Sequence, residues 1–64
     1  MLPYTYNVIY SYNGDEESLS FNSDRILDRD LLWDSVEFEV RKLIGIDFDR
    51  NKFAVKSYNY NVNR

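Results

Sequence analysis

The chain has 64 residues, no cysteine, no histidine and a formal net charge of −3. A chain this short forms one domain at most and buries only about 60% of its unfolded surface, so its stability is marginal, and without cysteine it has neither disulfides nor thiolate metal sites to reinforce it. The missing His and Cys remove the commonest general base and the thiolate nucleophile, and Gly14 and Gly45, standing apart, make no phosphate-cradling loop; these exclusions favour a binding protein without a cofactor over an enzyme.

Tyr4-Thr5-Tyr6-Asn7-Val8-Ile9-Tyr10-Ser11-Tyr12 alternates, which predicts a strand over 4–12 with Tyr4, Tyr6, Val8, Tyr10 and Tyr12 on one side and Thr5, Asn7, Ile9 and Ser11 on the other. Asn13-Gly14 accepts positive φ at little cost and predicts a tight hairpin. The return strand is expected over 17–22, with Leu19 and Phe21 turned to the core. Ser23-Asp24 breaks it, and Arg25-Ile26-Leu27 is expected to form an irregular connection that pushes Ile26 or Leu27 under the next element.

That element is a helix over about 30–44. At 100° per residue Leu32, Trp33, Val36, Val40, Leu43 and Ile44 fall within an arc of about 120°, the width of a core-facing stripe. Asp28 and Asp30 can cap free N–H groups at its start, Arg41 and Lys42 suit the negative end of the dipole, and Gly45 supplies the left-handed stop. Residues 46–51 read as a loop, followed by a third strand over about 52–60 with Phe53 and Val55 inward and Lys56, Tyr58 and Tyr60 on the outer face. The tail Asn61–Arg64 is expected to fray. A right-handed crossover then gives an α+β fold: a three-stranded antiparallel sheet, ββαβ in order 2-1-3, with one helix packed on one face. Residues 1–64 make a single small domain. Its two open edges suit a monomer or an edge-paired homodimer.

No run approaches the roughly 20 apolar residues of a membrane span, and the N-terminus lacks the pattern of an export signal, so a cytoplasmic protein without a membrane partner is expected. Asp47 and Asp49 lack the following Gly and distant Glu of a calcium loop and stand beside Arg50, which predicts a polar loop without metal.

Charge is unevenly spread. Nine acidic residues between Asp15 and Glu39 against Arg25 and Arg29 give −7, and six basic residues between Arg41 and Arg64 against Asp47 and Asp49 give +4. The acidic part, with Asp28, Asp34 and Glu37 on or beside the helix, suits a protein partner with a basic surface, and could imitate a nucleic-acid backbone toward it. Leu31 and Phe38, seven residues apart and opposite the apolar arc, are the expected apolar centre of the binding face, with Asp34, Ser35 and Lys42 as its polar rim. The alternative, in which Phe38 is claimed by the core, carries equal weight. A second reading uses Lys56, Tyr58 and Tyr60, with Lys52 and Arg64, as a stacking surface for single-stranded nucleic acid; a third makes the chain a small structural subunit of a larger assembly. The favoured reading is an interaction module, an inhibitor or adaptor. Short, acidic, Asn- and Tyr-rich chains are of a kind that phages and mobile elements encode, which sets an expectation of source and none of mechanism.

Overall fold

A two-residue turn sets the register of the sheet. In the computed structural model, which describes residues 2–63, β1 (Tyr4–Tyr12) and β2 (Asp15–Ser23) are joined by Asn13 and Gly14 at φ 54° and 87°, the positive-φ pair of a type I′ turn, whose twist matches that of the strands. The antiparallel pairing then runs without a slip from Tyr12 opposite Asp15 to Tyr4 opposite Ser23. The third strand, β3 (Phe53–Val62), pairs antiparallel with β1 on its other side, giving the expected order β2-β1-β3.

Helix α1 (Arg29–Ile44) crosses one face of this sheet. Asp28 caps it, its Oδ1 accepting from the Leu31 N–H at 2.9 Å, and Gly45 ends it at φ 86°. Tyr6, Val8 and Tyr10 from β1, Leu32, Val36 and Val40 from α1 and Phe53 from β3 form the buried core. Leu27 is the half-buried member of its segment, and its backbone N–H donates to the Tyr6 hydroxyl at 2.8 Å; Ile26 is exposed. Two 3₁₀ turns, Gly45–Asp47 and Arg50–Lys52, carry the chain from α1 to β3. Asp49 caps the second turn by accepting from the Asn51 N–H. No helix among the described residues is long and apolar enough to cross a membrane.

Four expectations need correction. Leu43, inside the apolar arc by angle, is 71% exposed; it shares the face of Leu32 and Val36 and differs from them in standing in the last turn of α1. Glu37, placed on the acidic partner surface, is only 8% exposed. It turns toward Arg41 and Arg50 on the β3 side of the helix, at 3.4 and 3.2 Å. Tyr58 and Tyr60 lie on the helix side of the sheet and not on its outer face: Ile9 opposes Ser57 while Tyr10 opposes Val55, so Lys56 is an extra bulged residue and every later side chain in β3 changes face. The tail is ordered through Asn63, whose N–H donates to the Pro3 carbonyl and whose Nδ2 donates to Thr5 Oγ1 at 2.8 Å. Arg64 lies outside the described residues.

Candidate interaction groove

One helix with its side chains is about 10 Å wide, whereas neighbouring strands are about 4.8 Å apart, so a single helix covers about two strands of three. Here it favours β1 and β3. Trp33 meets Phe53 edge-on with centroids 5.7 Å apart, Phe48 lies 5.9 Å from Phe53 and stacks on Tyr12 at 5.5 Å, and the Arg41 guanidinium sits 5.1 Å from the Phe48 ring centre. Around Phe53 that flank is filled. On the other flank the helix stands away from β2 and leaves an open groove of about 700 Å³.

The floor and walls of the groove are apolar. Phe21 of β2 stacks on Tyr6 at 5.5 Å, and Leu2 and Leu27 close one end. From the helix come Leu31, 48% exposed, and Phe38, 61% exposed. Phe38 is thus a surface residue, and the open alternative between core and surface is decided. The reason is positional: Phe38 points toward the strand that the helix does not cover. Asp24, Asp34, Ser35 and Glu39 supply the polar rim.

The other expected site residues fall as follows. Ser35 donates its hydroxyl to the Leu31 carbonyl at 2.9 Å, which holds it in the helix wall. Lys42 Nζ lies 4.8 Å above the Phe38 ring centre and 3.3 Å from Glu39, so it covers one face of the ring. Asp28 is occupied as the helix cap. Glu37 is on the opposite flank; its Oε1 is buried and accepts no hydrogen bond, meeting Arg50 as a charge pair only. Phe21, Leu27, Leu2, Asp24, Arg25 and Glu39 were not expected in the site. Alternation assigns Phe21 to the core side, and Leu27 is one of the two residues expected under the helix, which is where they are; only the offset of the helix turns that side into a groove.

The electrostatics of the groove are acidic. Arg25 donates from Nε to Asp24 Oδ1 at 3.0 Å and from Nη2 to Oδ2 at 3.2 Å, and this hydrogen bonding and charge hold the Asp24 carboxyl below the usual carboxylate range. Among the described residues, the one cation lining the groove, Arg25, is therefore already paired with a lining carboxylate. Asp34 and Glu39 also line the groove, and Glu39 is ion-paired with Lys42.

Lys56, Tyr58 and Tyr60 do not form one platform. Lys56 and Tyr58 share a smaller groove of about 410 Å³ with Arg29 and Trp33, while Tyr60 packs against Tyr4 and Tyr6 at 5.9 and 5.3 Å. The outer sheet face holds a polar ladder instead, in which Ser20 donates to Asn7 and Asn7 to Asn59. No group of three or more potential metal-ligating side chains occurs among the described residues. No protein-family model, curated protein or solved structure matches the chain.

Proposed function

We propose that this protein is a small interaction module that takes a basic, apolar-bearing segment of another protein into the groove between α1 and β2, and so acts as an inhibitor or adaptor and not as a catalyst. The observation that carries this reading is the exposure of Leu31 and Phe38, two turns apart on one face of α1, along the groove beside β2. An exposed Phe gains little where it stands. Burying a Leu and a Phe in a partner contributes about 3–5 kcal/mol before the costs of association, and the surrounding carboxylates select a cationic partner and speed its approach. The cysteine-free composition suits a reducing cytoplasm.

The test uses the full chain as immobilised bait beside its Leu31→Ser and Phe38→Ser variants. A partner held by the parent should be lost from both variants and should elute as salt is raised. Lys56→Ala, in the other groove, should retain it. Equal capture by all four baits would refute the reading.

A further inference from the structure

The groove runs beside the outer edge of β2, the terminal strand of the sheet. The type I′ turn makes Tyr12 and Asp15 a hydrogen-bonded closing pair, and the register from there to Tyr4 and Ser23 has no bulge. With the two-residue period of an antiparallel ladder, Asp15, Glu17, Leu19, Phe21 and Ser23 bond to β1, and Glu16, Ser18, Ser20 and Asn22 turn their N–H and C=O groups outward. All four outward residues are exposed. They lie on the terminal strand of the order β2-β1-β3.

The two edges of the sheet are guarded unequally. β3 carries a bulge with a Lys at the bulged position, two of the devices that discourage strand addition. β2 is a nine-residue strand with no Pro, no Lys and no bulge. A strand added to it would lie about 4.8 Å farther out, under the overhang of Leu31 and Phe38, and its alternate side chains would rise into the groove. We infer that the segment taken up is an extended strand that pairs with the free edge of β2, placing apolar side chains against Phe21, Leu31 and Phe38 and Lys or Arg side chains near Glu17, Asp34 and Glu39. This rests on the interaction reading above and adds the backbone to it.

Charge selects the occupant. β2 contributes Asp15, Glu16 and Glu17 without a cation, and Arg25 is already paired with Asp24. A second copy of this chain would bring three further carboxylates and no cation from its own β2, whereas a basic strand neutralises those already there.

The probe is a synthetic peptide of about nine residues whose alternate, groove-facing positions carry Lys toward one end and Val toward the other, with Thr at the positions between, titrated into the isotope-labelled full chain. Two controls accompany it: the same peptide N-methylated at alternate residues, and a helical peptide of matching charge. The amides of Glu16, Ser18, Ser20 and Asn22 should slow in hydrogen exchange by about tenfold or more, and N-methylation should weaken binding by about tenfold, since it removes edge hydrogen bonds. Ser18→Pro deletes an outward N–H without touching the β1 ladder and should weaken binding equally while melting near the parent; if that variant fails to fold, the methylated peptide decides alone. Binding that leaves the four amides unprotected, survives N-methylation, or is stronger for the helical peptide overturns strand addition, and leaves the groove reading standing if Phe38→Ser still abolishes it. Absence of peptide binding, or protection of these amides by self-association alone, overturns the inference in favour of no partner strand or of a second copy.

Discussion

Toward β3, helix α1 meets Phe53 through Trp33 and is closed off by Phe48 and the Arg41 guanidinium; toward β2, the same helix presents Leu31 and Phe38 to solvent. Both flanks are rich in large apolar side chains, so composition does not distinguish them. What differs is the supply of facing surface. The short path through two 3₁₀ turns ties the end of α1 to β3 and delivers Phe48 as a wedge, while β2 lies beyond the reach of one helix. A single helix on three strands must leave apolar surface open on one side, and here that surface is bordered by carboxylates.

The contrast can be broken most directly inside the core. Leu32→Ala, at a fully buried position of the helix, should cost about 2–4 kcal/mol, whereas Leu43→Ala in the exposed last turn should cost less than about 0.5 kcal/mol. Urea denaturation of the pair measures this; equal costs would place the last turn of the helix over the core.

A smaller effect is expected at Glu37, whose partners Arg41 and Arg50 remain largely solvated. Glu37→Ala should cost about 1 kcal/mol, and a double-mutant cycle with Arg50→Ala should assign part of it to the pair. Zero coupling would make the pair incidental to the packed flank.

Tyr10 lies where the flanks meet, beside Phe53 and opposite Glu17. Burial, reinforced by the Glu17 charge, pushes its phenol above its ordinary value of 10.0. The folded state holds the proton more tightly than the unfolded chain, so this contribution is whole below about pH 10 and is lost as pH rises through the folded value. Tyr10→Phe should therefore flatten the alkaline fall in stability, read as denaturation midpoints across that range. An unchanged slope would show the phenol to be uninvolved.

The smallest effect belongs to the open flank. Phe38→Ser should shift the denaturation midpoint by less than about 0.5 kcal/mol in stability, since the side chain contributes little besides its contact with Lys42. A large drop would mean that the groove is part of the core.

The hairpin, the helix with its caps and the strand order follow from local chemistry: Asn13-Gly14 fixes the turn hand, Asp28 and Gly45 bound the helix, and alternation assigns the faces of β1 and β2. Leu31 and Phe38 are legible as outliers because they stand opposite the apolar arc. The fates of Leu43, Glu37, Tyr58 and Tyr60 depend on tertiary structure. Periodicity tells which way a side chain points along its own element, and it is silent on whether another element stands there. The bulge at Lys56 reverses β3 part-way along to continue pairing with β1, and the seat of the helix over β1 and β3 determines that Glu37 meets two arginines while Phe38 meets water.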